Sequence, residues 1–260
     1  MRIVRFVTRG KVKYGVLAEN VVRGFQGSPF AHFKCPGNSV TLDGNTCKLE
    51  EVKLLAPCLP SKIVCLGLNY RRHAEEAKLP IPSVPLIFLK PSTAVIGPDD
   101  SIILPHLWRR VDYEGELGVV IGRKAKDVTE DKAKEYVIGY TCFNDVSERY
   151  VQSEDGQWTR AKGYDIFAPI GPCIETEVDP DNLKLETYLN GELRQSACTS
   201  DLLFGVSRLI SFISSVMTLL PGDVIATGTP SGIGCVKPGD VVEVRIEKIG
   251  TLRNFVVDQR

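Results

Sequence analysis

The sequence predicts a β-rich α+β fold with few helices. Three observations carry that expectation. Most apolar runs are short and are separated by Gly, Pro, Asn or Asp, the pattern of strands joined by turns. One stretch, over 201–219, has a sustained helical period. Strands and helices do not alternate regularly, as a doubly wound parallel sheet would require.

Taken in order, Ile3–Val7, Lys13–Leu17 and Val21–Phe25 read as strands, broken at Arg9-Gly10, Asn20, Gly27-Ser28-Pro29 and Asp43-Gly44-Asn45. The segment Leu55–Ser61 holds Pro57 and Pro60 and reads as a linker, so a small N-terminal β module is expected at 1–56 and a larger domain at 57–260. Lys62–Leu68 reads as a buried strand. Asn69–Lys78 has helix-forming composition and is stopped by Pro80 and Pro82. Strands are expected at Leu86–Lys90, Ser101–Leu104 and Asp112–Ile121, a short helix at Glu130–Tyr136, and a strand at Val137–Phe143 that ends in Asn144-Asp145.

Leu185–Leu189 and Glu192–Gln195 flank Asn190-Gly191, a strong hairpin signal because both turn residues tolerate positive φ. The long helix is expected from Asp201 to Leu219. Its apolar stripe is Leu202, Leu203, Val206, Leu209, Ile210, Ile213, Val216 and Met217, its cap Thr199, Ser200 or Asp201, and its stop Pro221-Gly222. Asp223–Thr227, Val241–Glu247 and Leu252–Val257 return to strand.

Length and composition are those of an ordinary globular chain: 260 residues, 43% hydrophobic and 25% charged. Lys plus Arg equals Asp plus Glu at 32 each, so no net field draws nucleic acid or an anionic membrane. No apolar stretch approaches the ~20 residues that span a bilayer. The first ten residues place charges between apolar positions and read as a strand, not a signal peptide, so a cytoplasmic location is expected. Cys35, Cys47, Cys58, Cys65, Cys142, Cys173, Cys198 and Cys235 are scattered singly, without metal-ligand spacing, and read as reduced structural residues.

The most informative stretch is Asp112–Ile121. Side chains alternate along a strand, so Asp112, Glu114 and Glu116 share one face, with Tyr113, Leu117, Val119 and Ile121 on the other. Neighbours on one face lie about 6.6 Å apart, within reach of one ion for two flexible glutamates. A half-buried strand with a wet polar face shows the same alternation. Asp145 supplies a third acid where the run Ile138–Phe143 opens into a loop, although capping the turn that follows is an equal use for it. All-oxygen ligation suits Mg²⁺, or Mn²⁺ or Ca²⁺, better than zinc. His73 and Glu76, three apart on the expected helix, form a candidate general-base pair as well as an ordinary helical contact. Lys162 is a candidate oxyanion partner or a surface lysine. The loop Thr227–Gly234 is a candidate anion cradle or a plain turn, and without Gly-Lys-Ser/Thr it is not a nucleotide P-loop.

In sequence order, the blocks GLNYRRHAEE (67–76), PLIFLKP (85–91), DYEGELGVVIG (112–122), GYTCFNDVSERYVQ (139–152), RAKGYDIFAPIGP (160–172), NGELRQ (190–195) and PGDVIATGTPSGIG (221–234) resemble the fumarylacetoacetate hydrolase family. The likeness is to its compact branch of acylpyruvate hydrolases, oxaloacetate decarboxylases and hydroxyhepta-dienedioate isomerases. It implies a mixed β-sandwich or roll, a homodimer, and a small dicarboxylate or oxo-acid substrate. On the matching positions, it implies Glu114, Glu116 and Asp145 as metal ligands. His73 and Glu76 match a dyad on a segment that orders over ligand, and Lys162 matches a lysine near the substrate oxyanion. Arg149, Gln152 and Thr229 match substrate-binding positions. Tyr150 and Ile166 depart from the family pattern, and both are expected to alter pocket polarity.

The activity this implies is Mg²⁺-dependent C–C hydrolysis of small 2,4-dioxo acids through a metal-chelated enolate, as in aromatic catabolism. Decarboxylation or isomerisation of oxaloacetate or a hydroxyhepta-dienedioate would use the same site. A non-catalytic metal- or ligand-binding β domain is the alternative from another class. Glycoside hydrolysis fits less well, because both glutamates lie on one strand instead of flanking a cleft.

Overall fold

The computed structural model describes residues 1–31, 40–106 and 108–259. The chain opens with β1 (Arg2–Thr8), β2 (Lys11–Ala18), β3 (Val21–Phe25), β4 (Leu42–Lys48) and β5 (Lys53–Leu55). Next come β6 (Ile63–Gly67), α1 (Arg71–Glu76), β7 (Leu86–Lys90), β8 (Val95–Ile96), β9 (Ser101–Leu104), β10 (Val111–Tyr113) and β11 (Gly115–Ile121). The middle supplies β12 (Val137–Asn144), β13 (Ser147–Glu148), α2 (Arg149–Asp155), α3 (Thr159–Lys162) and β14 (Ala168–Glu175). Then follow β15 (Lys184–Leu189), β16 (Glu192–Cys198), α4 (Val206–Val216), β17 (Val224–Ala226), β18 (Gly234–Cys235), β19 (Val241–Ile246) and β20 (Gly250–Asp258).

The largest sheet runs β4-β3-β2-β1-β14-β12-β11-β17-β6-β7, with β5 paired to β1 and β8 to β14. A second sheet runs β16-β15-β19-β20-β9, and a small third one β13-β10-β18. This is the expected β-rich α+β architecture. Strand β1 joins β14 at Arg2↔Glu175 and Ile3↔Ile174, so the ladder is continuous across residue 56. The division into 1–56 and 57–260 is kept as a proposal.

The centre of the large sheet is apolar on both faces, as strands covered on two sides must be. Leu117, Val119 and Ile121 of β11 pack with Leu209, Ile210 and Ile213 of α4 and with Leu185, Val244 and Leu252 of the second sheet. Val120, on the opposite side of the same strand, packs with Ile63, Phe143, Ile174 and Val224. Four of the cysteines, Cys58, Cys65, Cys142 and Cys173, are buried in these layers, and the described cysteines are free thiols; Cys35 lies outside the described residues.

Several elements differ from expectation for identifiable reasons. The expected strand 112–121 is interrupted at Glu114, between β10 and β11. The long helix is confined to Val206–Val216, with Gly205 as its N-cap. Asn69 claims the preceding residues: its carbonyl accepts from Leu203 N–H at 2.8 Å and its side chain accepts from Phe204 N–H at 2.8 Å. Val216, expected in the buried stripe, is 56% exposed at the frayed end. The 130–136 segment is a 3₁₀ turn series, and the expected helix at 69–78 is only Arg71–Glu76. Asp43-Gly44-Asn45, expected as a break, lies inside β4, where the pairing register shifts between Arg23 and Phe25. Central strand β14 carries Pro169 and Pro172, which mask it as a strand. Its ladder to β12 shifts register between Tyr140 and Cys142.

Gly115 is where the two large sheets approach most tightly along the site, since a Cβ there would lie 2.0 Å from Thr187 Oγ1 of β15. Gly115→Ala should therefore lower unfolding free energy by about 1–3 kcal/mol through overpacking. A urea midpoint equal to that of the parent chain would contradict this packing.

Candidate metal centre and active site

The break at Glu114 is built by groups that replace the ladder. Glu114 N–H donates to Asn144 Oδ1 at 3.0 Å, and its carbonyl accepts from Asp145 N–H at 2.8 Å. Gly115 N–H donates to Gln195 Oε1 at 2.9 Å, while its carbonyl accepts from Thr229 Oγ1 at 2.9 Å. Backbone groups leaving a sheet in the interior must find such partners. The result is that Glu114, Glu116 and Asp145, all buried, converge with ligand atoms within 4.8 Å of one another.

Cations surround this trio. Lys162 Nζ, at the end of α3, donates to Glu114 Oε2 at 2.8 Å and to Asp145 Oδ2 at 2.7 Å. Lys90 Nζ, fully buried at the end of β7, donates to Asp145 Oδ1 at 2.5 Å and to Val146 O at 3.0 Å. Arg149, the first residue of α2, pairs with Glu114 through Nη2 and with Asp112 through Nε at 2.9 Å. Its Nη1 donates to Gln152 Oε1 at 2.8 Å. Glu148 seats that helix by accepting from the N–H groups of Arg109, Arg110 and Val151.

Glu116 is different. Its Oε2 accepts from Gly228 N–H at 2.8 Å, but Oε1 is buried without any hydrogen-bond partner. Burial, and then the charges of Asp145 and Glu114, push its pKa well above the ordinary carboxylate range. For Glu114 burial acts the same way, yet Arg149 and Lys162 outweigh it and hold the pKa below the usual value. Burial disfavours the charged form of Lys162, but Asp145 and Glu114 keep its pKa above that of a free lysine. A buried acid with an orphaned oxygen beside two further carboxylates is a donor set that an oxygen-seeking divalent cation fits.

Of the trio, Glu114 lines a cavity of about 400 Å³, together with Lys162, His73, Arg149, Gln152 and Thr229, and with Leu66, Leu79, Phe88, Trp158 and Ile233 among its apolar members. His73 Nδ1 lies 3.2 Å from Glu76 Oε2, and Glu76 Oε1 accepts from Gly232 N–H at 3.0 Å. The dyad is thereby tied to the loop after β17. Gln195 Nε2 donates to Thr229 Oγ1 and to Pro230 O, each at 2.8 Å, so the Thr229 hydroxyl braces the same loop as well as lining the cavity.

All nine site positions singled out in the sequence thus lie at or beside one cavity. The two departures do not reach it. Tyr150 is 45% exposed with Arg109 3.8 Å over its ring, and Ile166 packs with Phe167 and Val256 in a separate cluster. Neither changes the polarity of the wall, contrary to expectation. Lys90, Asn144 and Gln195 were missed as site residues. Their signals are weak ones: a lysine closing the apolar run of β7, an amide beside Asp145, and an amide following the Asn190-Gly191 hairpin.

Comparison with known proteins places two family matches along the chain. Residues 62–257 match the fumarylacetoacetate (FAA) hydrolase C-terminal family, and residues 1–57 match the Rv2993c-like N-terminal family. The chain is 45% identical over 211 residues to 2,4-didehydro-3-deoxy-L-rhamnonate hydrolase from a Sphingomonas species, covering 76% of this chain and 74% of that one. It is similar to the crystal structure of 5-carboxymethyl-2-hydroxymuconate delta-isomerase from Mycobacterium smegmatis, with a TM-score of 0.92, 45% identity and full coverage of both chains. It is also similar to maleylpyruvate hydrolase from Sphingobium, solved with manganese(II) and pyruvate, with a TM-score of 0.83, 31% identity and full coverage of both chains.

Lys90 is fully buried, so removing its charge leaves Asp145 Oδ1 without its donor and Asp145 with Lys162 as its one remaining ion pair. Lys90→Met should lose about 3–5 kcal/mol of stability in EDTA, as for other broken buried pairs. With excess Mn²⁺ the loss should shrink, because the ion offers Asp145 another positive neighbour. Equal urea midpoint shifts in both conditions would count against a cation site at Asp145.

Proposed function

The chain belongs to the fumarylacetoacetate hydrolase family, and within it we propose a Mg²⁺-dependent hydrolase that cleaves a C–C bond in short 2,4-dioxo acids of the acylpyruvate type. The observation that carries this is the orphaned, buried Oε1 of Glu116 set among Glu114 and Asp145 beside a cavity that also holds a histidine–carboxylate pair. Magnesium is the choice for an all-oxygen donor set, and Mn²⁺ or Ca²⁺ would suit the same ligands. Bound there, the ion would act as a Lewis acid, stabilising negative charge that develops on the 2-oxo oxygen.

The remaining roles follow from the side chains. With Nδ1–H donated to Glu76, His73 keeps a lone pair on Nε2 and takes a proton from water. The water oxygen attacks the 4-carbonyl carbon, and Lys162, an ammonium held among carboxylates, donates to the oxyanion. The C3–C4 bond then breaks with its electron pair passing to C3, which takes a proton back from His73. The products are a carboxylic acid and a 2-oxo acid. Gln152, its oxygen already accepting from Arg149, has its NH₂ left to donate to the substrate carboxylate.

Charge balance supports an anionic ligand. Asp112, Glu114, Glu116 and Asp145 face Lys90, Arg110, Arg149 and Lys162. Adding a divalent cation leaves the centre net positive. A homodimer and a cytoplasmic location belong to the same proposal and rest on family resemblance; no helix among the described residues is long and apolar enough to cross a membrane. The likeness to a delta-isomerase favours a second reading, isomerisation or decarboxylation of a dienedioate or of oxaloacetate on the same site.

Acetylpyruvate, oxaloacetate and a hydroxymuconate-type acid should be assayed together with Mg²⁺ and with EDTA. Acetylpyruvate turnover should require the metal and fall about a hundredfold or more in Glu116→Ala. His73→Ala should lower hydrolysis by about 10²–10⁴-fold while sparing decarboxylation, which needs no water nucleophile. Metal-independent turnover, or faster isomerisation than hydrolysis by the parent enzyme, would reject the leading assignment.

A further inference from the structure

The cavity has two unlike halves. One carries Glu114, Lys162, Arg149, Gln152 and His73; the other is Leu66, Leu79, Phe88, Trp158 and Ile233. Trp158 lies edge-on to Phe88, with ring centroids 5.2 Å apart at 74°, and Lys162 Nζ sits 5.1 Å from the centroid of Phe88. Phe88 therefore lies at the seam where the polar half gives way to the apolar one. Trp158 reaches this place because Gly67 has no side chain, since a Cβ there would lie 2.7 Å from the indole ring. At the rim, Leu79 and Leu86 are 49% and 43% exposed, so the apolar surface continues outward.

The only lysine and arginine among the lining residues are held at the reacting end by carboxylates. Lys162 donates to Glu114 and Asp145, and Arg149 to Asp112, Glu114 and Gln152. A ligand whose 2-oxo-carboxylate end lies at the acid trio must send its other end along Phe88 toward Trp158. A second carboxylate there would be desolvated with no lysine or arginine among the distal lining residues to meet it, whereas a hydrocarbon chain would displace water from apolar walls.

Building on the oxo-acid reading above, we infer that this enzyme takes monocarboxylic 2-oxo acids with an apolar distal group and excludes dicarboxylates, with Trp158, Phe88 and Leu79 as the specificity-determining residues. The discrimination lies in the distal half alone, and the reacting end is the same for both ligand classes.

The test is calorimetric binding to the Mg²⁺-loaded full chain of three acids that lack a 4-oxo group: pyruvate, 2-oxohexanoate and 2-oxohexanedioate. The longer two differ only in the terminal carboxylate. We expect 2-oxohexanoate to bind at least about tenfold tighter than 2-oxohexanedioate. Trp158→Ala should weaken 2-oxohexanoate severalfold while leaving pyruvate unchanged. Leu79→Arg, at an exposed rim position that tolerates a charge, should narrow or reverse the preference by supplying the missing cation. Pyruvate binding with equal or tighter binding of 2-oxohexanedioate would overturn the inference and leave the oxo-acid reading standing. Failure of all three acids to bind would overturn both.

Discussion

Three carboxylates in the interior of a protein repel one another, and the structure around Glu114, Glu116 and Asp145 is organised by that repulsion. Water cannot screen it, so positive groups must be brought in through the fold. Lys90 arrives on β7, Lys162 on α3 and Arg149 on α2, and between them they contact every oxygen of Glu114 and Asp145. Glu116 is left to a single backbone N–H. The compensation is incomplete at one atom, Glu116 Oε1, and that atom is where an added cation gains most.

These groups meet where the regular ladder between β11 and β12 ends. The antiparallel register Gly115↔Asn144 and Glu116↔Phe143, carried one residue further, sets Glu114 opposite Asp145 at the end of the ladder. Glu114 alone lies between the two strands β10 and β11, and its carbonyl still accepts from Asp145 N–H at 2.8 Å. Three backbone groups there take side-chain partners, from Asn144, Gln195 and Thr229. Gln195 comes from the second sheet and Thr229 from the loop after β17. The centre is therefore rigid only when both sheets and that loop are in register, and this ties catalytic geometry to global packing.

This explains what was legible in the sequence. Strands with strong alternation or a plain apolar run, such as Val21–Phe25, Leu86–Lys90 and Ser101–Leu104, fall where their patterns put them. The acids on 114 and 116, Asp145 and the His73–Glu76 spacing were visible as candidates because each is a local feature, but each also had a plain structural use, and the family resemblance chose between the two. Strand β14 was not, because Pro169 and Pro172 carry a loop signature and only its neighbours β12, β1 and β8 make it a strand. The start of α4 was misplaced because Asn69, far away in sequence, competes for its first residues. Lys90 and Gln195 were invisible for the same reason. A lysine after four apolar residues looks like the end of a strand at the surface, and only its long-range contacts with Asp145 and Val146 show where its charge goes.

The division of the cavity carries the synthesis one step further. Hydrogen-bond donors aimed at the acid trio are fixed by charges they already neutralise, so they cannot adapt to ligands of different charge. The apolar half has no such obligation. Phe88, Trp158 and Leu79 touch side chains that could be exchanged without stranding a buried ion, and Leu79 is half in solvent. Selection among substrates can therefore change at those positions at little energetic cost, while changes at Lys90, Arg149 or Asp112 would unbalance the centre. The cavity is thus partitioned between a charge-locked end, whose side chains hold one another, and a hydrophobic end free to vary.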